Sequence, residues 1–496
     1  MVPIKVHNPV TGELAGTVNP ASPSDLASTA ARARQAQERW SKLSFRERAV
    51  FIARFHDRIL DQSAQILDTI QLETGKTRRD AFAEVVSVAG TARYYLAHGE
   101  SILAARARRG AVPIVTSSVL EHRPHGVVGL ITPWNYPFIL SIADALPALL
   151  AGNAVVLKPS ELTPLSAVLG RELLVGCGLD PDLFGIVHGA GDVGGELIRH
   201  VDYIGFTGGS STGRKVAVAA AERLIPCSLE LGGKNPMIVL KGASLKNAAA
   251  GLLAGAFSNA GQTCISVERV YVEASIFDEF SRIVSEEARK LKLGWSRSWD
   301  LDMGSLIHSA HADKVMGHIE EAVQGGARIL SGALRRPDLG PAFVEPTVLT
   351  HVSQRASMAT QETFGPVISM YPVESANEAV VMANDTNYGL NASVWAGRSG
   401  EAMEIARQIR AGSVGIQSSL MIYNAFDVPM GGMKISGIGR RHGEHGLLRY
   451  TQEQSIVTSF SMAGGYDGML PKIRSQKIAD GVLKLVRLWR RIPGLR

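Results

Sequence analysis

The chain has 496 residues, room for about three domains at roughly 150 residues each. It is 45% apolar and 20% charged, which excludes a disordered chain and a small disulfide-stapled module. The formal charge is +6, but eight of the 52 basic residues and two of the 46 acidic ones lie in positions 466–496, so the first 465 positions carry 44 of each sign and no nucleic-acid groove is expected there.

Positions 24–105 read as helical, with Ser24 as the cap of the first helix and Ala-rich runs behind it. Positions 113–123 alternate apolar and polar residues, the pattern of an exposed strand or hairpin. From Gly126 short apolar strands at 127–132, 153–158, 183–188 and 202–207 alternate with helical stretches, which predicts parallel βαβ units and a sheet covered on both faces. A second α/β region runs from Met237 to about Gly432, with strands at 269–272 and 393–396. A late strand is expected at 454–459. Three cysteines, Cys177, Cys227 and Cys264, are too few and too odd in number for a disulfide framework. The first residues carry no basic segment ahead of an apolar one, and no run of 18 uncharged apolar residues exists. A cytoplasmic protein is the expectation.

Four segments could carry chemistry. Thr207-Gly-Gly-Ser-Ser-Thr-Gly213 joins a predicted strand to a predicted helix. Gly208, Gly209 and Gly213 would let backbone N–H groups approach a pyrophosphate, or they make a tight turn without a ligand. Lys158-Pro-Ser-Glu161 ends another strand, where Lys158 and Glu161 either hold ribose hydroxyls or are simply solvated. In Phe257-Ser-Asn-Ala-Gly-Gln-Thr-Cys-Ile265, Cys264 is either inert packing or a thiol at a turn whose N–H groups favour the thiolate. Cys177 and Cys227 have no such setting and read as structural. Glu230, in Leu229-Glu-Leu-Gly-Gly-Lys-Asn235, is either a base whose pKa burial raises or the ion-pair partner of Lys234.

From about Asn8 to Ser459 the chain resembles the aldehyde dehydrogenase superfamily. The resemblance rests on motifs in the family's order: Thr132-Pro-Trp-Asn-Tyr-Pro137, Lys158-Pro-Ser-Glu161, Phe206-Thr-Gly208, Leu229-Glu-Leu-Gly-Gly-Lys234, Gly261-Gln-Thr-Cys264, Glu362-Thr-Phe-Gly-Pro366, Asn384 to Leu390 and Pro429 to Gly437. It implies an α/β aldehyde-dehydrogenase-like fold. A Rossmann-like cofactor domain would occupy 1–105 and 124–232, a catalytic α/β domain 233–432, and a β oligomerisation arm 106–123 and 447–460. A homodimer or homotetramer is expected. Cys264 would be the nucleophile, forming a thiohemiacetal and then a thioester with an aldehyde. The Cys264 N–H and the Asn135 amide would hold the oxyanion, and Glu230 would activate the hydrolytic water. Trp134, Lys158, Glu161, Glu362 and Phe364 would contact the cofactor. A carboxylate at Glu161 repels a 2′-phosphate, so NAD is expected ahead of NADP. Two departures stand out: Gly209 where the family often has Ser, and Arg441 where it usually has Glu.

The pattern is most similar to bacterial succinate-semialdehyde-dehydrogenase-like members. The two arginines that hold the substrate carboxylate in the best-known of these fall at Ser258 and Ala143 here. An aliphatic or aromatic aldehyde is therefore preferred, with succinate semialdehyde as the alternative. In the tail, Ile478, Val482, Leu485 and Trp489 share one helical face, and Lys477, Lys484, Arg487 and Arg491 the other. That is either a basic amphipathic helix for an anionic lipid surface or a helix packed on protein. A membrane-bound scaffold without catalysis is the other class of reading, and intact Cys264, Glu230 and Asn135 argue against it.

Overall fold

The computed structural model describes residues 2–110, 116–459 and 472–490. Helices dominate the first hundred residues, and local signals set their starts. Helix Pro23–Trp40 is capped by Ser22, whose hydroxyl accepts from the Asp25 N–H while the Asp25 carboxylate accepts from the Ser22 N–H. The expected cap at Ser24 is thus displaced by two residues. Pro23 is pre-set for the first helical position, and only Ser22 stands three residues before an acid. Ser44 and Glu47 form the same box for helix Phe45–Asp61. Helix Arg78–Leu103 starts from Thr77.

These helices pack on a six-stranded sheet ordered Gly437–Ile438, Cys227–Glu230, Tyr203–Thr207, Val127–Ile131, Ala154–Lys158 and Phe184–Ile186. All neighbours are parallel except the first pair. Strands Val127–Ile131 and Ala154–Lys158 are buried along their whole length because helices cover both faces. The chain runs outward from Val127–Ile131 through two strands, then returns to that strand's other side with Tyr203–Thr207. Ligand crevices form outside the carboxyl ends at such a reversal. Trp134 and Asn135 follow one of the two central strands, and Gly208 and Gly209 the other.

A seven-stranded sheet forms the second layer system. Its order is Arg328–Ser331, Thr347–Thr350, Val367–Val373, Val267–Glu273, Asn235–Val239, Asn391–Trp395 and Ser413–Ile416. Only Arg328–Ser331 runs antiparallel to its neighbour. Cys264 and Glu362 precede two of these strands, so the amino ends of the second sheet meet the carboxyl ends of the first. Each sheet has its own apolar core.

A three-stranded antiparallel sheet projects from this body: Thr451–Ser459, Thr116–Pro124 and Arg106–Arg109. The strand expected at 113–123 appears as Thr116–Pro124, and 113–115 lie outside the described residues. Leu447 and Tyr450, expected in the arm, are instead fully buried in the first core. Strand Gly437–Ile438, assigned to no unit from the sequence, closes the first sheet beside Glu230. The last described helix, Gln476–Trp489, has no buried residue.

Candidate active site

A cavity of about 370 Å³ lies where the two sheets meet. Its wall holds Trp134, Asn135, Gly208, Gly209, Glu230, Cys264, Glu362 and Phe364 together. Gly213 sits a turn inside helix Ser210–Glu222, where a Cβ would meet Leu231 at 2.5 Å. Lys158 and Glu161 stand apart, at the carboxyl end of the adjacent strand.

Cys264 follows a strained turn. Asn259, Ala260 and Gly261 have φ of 51°, 55° and 73°, a left-handed run that non-glycine residues avoid. Gly261 is required there, because a Cβ would lie 2.1 Å from the Gly365 carbonyl oxygen. Buried amides hold the turn. Asn259 Nδ2 donates to the Asn135 and Gln262 carbonyls at 2.9 and 3.2 Å, and Gln262 Oε1 accepts from the Ile307 N–H at 2.8 Å. Asn235 Nδ2 donates to the Cys264 carbonyl at 2.9 Å. Burial pushes the Cys264 thiol up to about 12; Arg441 opposes the rise, while Glu362 and Glu230 add to it. The resting group is a neutral thiol.

Asn135 is anchored from behind. Lys76 Nζ donates to its carbonyl at 2.8 Å and to Glu84 at 2.6 Å, and both charged side chains are buried. The other Glu84 oxygen accepts from the Phe138 and Ile139 N–H groups at 3.0 and 3.1 Å. The Asn135 amide donates once, to the Gln262 carbonyl at 2.9 Å, which leaves its second N–H for another acceptor.

Glu230 does not pair with Lys234, the bland alternative drawn from the sequence. Lys234 is buried against Glu268, whose carboxylate also accepts from the Thr363 and Phe364 N–H groups. Glu230 is buried, and its Oε1 has no hydrogen-bond partner. Burial raises its pKa to about 7, with Arg441 and Arg449 opposing. A carboxyl poised near neutrality beside a thiol is suited to move protons.

The nucleotide side is pre-shaped. Gly209 starts helix Ser210–Glu222 with no side-chain cap, so first-turn N–H groups face outward. A Cβ on Gly209 would meet nothing within 4 Å, so the serine common in the family would fit. Trp134 and Phe364 meet edge-on at 5.6 Å, and His311 completes that wall by bonding the Phe364 carbonyl at 2.8 Å. Glu362 accepts from the Gly233 N–H at 2.9 Å, and burial and Glu268 raise its pKa to about 8. Lys158 Nζ lies 3.5 Å from Glu161 and donates to the Pro159 and Gly189 carbonyls. Open helix N–H groups, an aromatic wall and two carboxylates fit a nicotinamide dinucleotide.

At the other end the cavity is lined by Asp80, Ala83, Glu84, Ser87, Ile139, Leu140, Ser258, Ile265, Leu420, Tyr423 and Asn424. Among the described lining residues the one lysine or arginine is Lys314, which bonds the Glu362 carbonyl at 3.2 Å, on the nucleotide side.

Two α/β sheets joined across such a cleft define a nucleotide-dependent oxidoreductase. Residues 2–456 match the model of the aldehyde dehydrogenase family. The chain belongs to that family, whose members oxidise aldehydes with NAD or NADP. A relative from Mycolicibacterium smegmatis, provisionally named a succinate-semialdehyde dehydrogenase using NADP(+), is 47% identical over 451 residues, 90% of this chain and 87% of its own. A 4,4'-diapolycopene aldehyde oxidase from Methylomonas sp is 38% identical over 466 residues, 93% of this chain and 87% of its own. A betaine aldehyde dehydrogenase from Staphylococcus aureus, solved with NAD+, superposes with a TM-score of 0.89 at 32% identity, covering 92% of each chain.

The sequence missed the supports rather than the reacting groups. Lys76 and Glu84 are eight residues apart around a helix start, a spacing that marks no pairing. Removing one member of a buried pair costs about 3–5 kcal/mol. Lys76→Met should therefore lower the unfolding free energy by about 3–5 kcal/mol, read as a lower urea midpoint, and lower kcat by loosening Asn135. An unchanged midpoint would show that Lys76 supports neither.

Proposed function

We propose that the chain oxidises an apolar aliphatic or aromatic aldehyde to its acid, through a covalent adduct on Cys264. The observation that carries this is the convergence of Cys264, Asn135 and an unpartnered Glu230 in one cleft. Ionised Glu230 takes the thiol proton, and the sulfur adds to the aldehyde carbon. The oxyanion forms beside the second N–H of Asn135 and the Cys264 backbone N–H; one such donor is typically worth about 10²–10³ in rate. NAD or NADP, when bound, is the hydride acceptor. The oxidised adduct is a thioester of Cys264. Glu230 releases the thiol proton to solvent, then draws a proton from water as its oxygen adds to the thioester carbon; the acid leaves and that second proton returns to the sulfur as the thiol re-forms.

Cys264→Ala should abolish NADH production while cofactor binding, read by quenching of tryptophan fluorescence, persists. Glu230→Gln should slow the pre-steady-state burst of NADH, because the thiol loses its base, and cut steady-state turnover by about 10²–10⁴-fold. In the parent enzyme kcat should rise with pH through about 7, because the base must be ionised. A burst-free Glu230→Gln with normal turnover would remove that role.

The substrate end supports an apolar aldehyde over succinate semialdehyde. A substrate carboxylate there would meet Asp80, with Ser258 in place of a cation and Glu84 already neutralised by Lys76. Ala143 likewise offers no charge. NAD is preferred over NADP, because Glu161 stands near the Lys158 ammonium that would otherwise attract a 2′-phosphate. An aldehyde panel read at 340 nm (roughly the NADH band) with each cofactor decides both. Hexanal and benzaldehyde with NAD should give the highest kcat/KM. A higher kcat/KM for succinate semialdehyde, or for NADP, would reverse the respective choice.

Two surfaces support assembly and membrane contact. Strand Thr451–Ser459 is an exposed sheet edge carrying Ile456 and Val457, suited to pairing between subunits in a homodimer or homotetramer. Helix Gln476–Trp489 exposes Ile478, Val482, Leu483, Leu485, Val486 and Leu488 while carrying Lys477, Lys484 and Arg487. Arg491, expected on the same basic face, lies outside the described residues. No described helix is long and apolar enough to cross a membrane. A basic amphipathic helix instead suits the surface of an anionic bilayer. Deleting residues 466–496 should abolish sedimentation with phosphatidylglycerol vesicles and leave hexanal turnover intact. Unchanged sedimentation would show that the tail is not the anchor.

A further inference from the structure

Behind Glu230, away from the cavity, lies a cluster of buried charge. Arg441 Nη2 donates to Asp144 Oδ2 at 3.0 Å and to Thr207 Oγ1 at 3.1 Å. Arg449 Nη2 donates to the other Asp144 oxygen at 2.7 Å and to the Tyr450 hydroxyl at 2.7 Å. Arg441 Nε stands 3.9 Å from Glu230 Oε1. That is within ion-pair reach but too long for a hydrogen bond, and neither atom has another partner. The four side chains are at most 13% exposed.

The charges balance in one state only. Two guanidiniums and the Asp144 carboxylate leave one positive charge, which an ionised Glu230 cancels. Protonating Glu230 would leave that charge buried and uncompensated, a costly state. Of the other groups facing Glu230, three are neutral, and Arg440, partly exposed, is a further cation that favours the ionised carboxylate. Burial drives His442 down to about 3, so it is neutral. Tyr423 is raised by burial and stays a phenol, and Cys264 is a thiol. Arg440 is directed at the Gly432 and Gly439 carbonyls.

We propose that Arg441, clamped by Asp144, is a positioning residue for Glu230: it keeps the carboxylate ionised in a water-poor cleft and fixes it where it can reach the sulfur and the water. The chain has placed a cation where the family usually has a glutamate, and the acid that neutralises it comes from the segment after the Trp-Asn motif. Strand Gly437–Ile438 delivers Arg441 to this position by pairing directly with Leu229 and Glu230.

This inference rests on Glu230 being the base, and the test separates the two. The pH dependence of kcat with hexanal is measured from about pH 5.5 to 9 for the parent, Glu230→Gln, Arg441→Met and Asp144→Asn. Glu230→Gln should erase the limb near pH 7; if the limb survives, the base is another group and the reading of Glu230 fails. Arg441→Met should move the limb up by about one unit, which is roughly a tenfold loss of kcat on its acid side. KM for hexanal should stay within about twofold of the parent, since Arg441 does not line the substrate end. Asp144→Asn should move the limb down, because Arg441 then faces Glu230 without a competing acid. Opposite shifts are not expected from two merely structural losses. Arg441→Gln replaces Arg441→Met if the latter does not fold, with the same upward shift expected. If Glu230→Gln erases the limb but the Arg441 and Asp144 variants lose kcat equally at every pH, Arg441 is structural and only this inference falls.

Discussion

Burial of ionisable groups without full compensation is the constraint on which the cleft depends. The reacting thiol and carboxyl must be kept from bulk water, yet burial raises the pKa of both and so favours their inert and protonated forms. Glu230 is held near neutrality instead of far above it because Arg441 and Arg449 oppose the cost. In the proposed mechanism that compromise lets one side chain accept a proton from sulfur and later from water. A carboxylate exposed to solvent would ionise freely, but it would be too weak a base to be useful.

Similar solutions recur around the cleft. Lys76 and Glu84 are buried together beneath Asn135, and Lys234 and Glu268 beneath the loop of Glu362 and Phe364. In each pair the carboxylate also accepts backbone N–H groups, so its remaining lone pairs are satisfied. A buried pair is weak grounds for stability by itself. Here each pair fixes a loop of its own sheet, the Asn135 loop of the first and the Glu362–Phe364 loop of the second. Asn135 comes from the first sheet and the Cys264 turn from the second, and the Asn259 and Asn135 amides join them across the gap.

What could be read from the sequence follows the range of the interactions. The strands were legible because a buried parallel strand is a short apolar run. The segments around Cys264, Glu230 and the paired glycines were legible because a turn that brings backbone close to a ligand demands small residues in a fixed local order. The first helix cap was displaced by two residues, since two serines competed and the acid that decides lies three positions past one of them. Partners far apart in sequence left no trace. Lys234 looked as able to pair with Glu230, four residues away, as with Glu268, its actual partner. Arg441 looked like an unexplained departure until strand Gly437–Ile438 was seen beside Leu229 and Glu230.

The charge distribution links the cleft to the surface. In the proposed function the substrate end offers apolar groups and no lysine or arginine among its described residues, a lining suited to an apolar aldehyde. Long-chain apolar aldehydes partition into membranes, where a wholly soluble enzyme meets them rarely. The excess positive charge lies in positions 466–496, a segment that includes a basic helix with no residue buried against the body. Two features read from different ends of the chain thus call for the same kind of substrate. Overall likeness fixes the family and the folded frame. Substrate choice turns on the few side chains at the far end of the cavity, and there the missing cation at Ser258 weighs more than overall likeness.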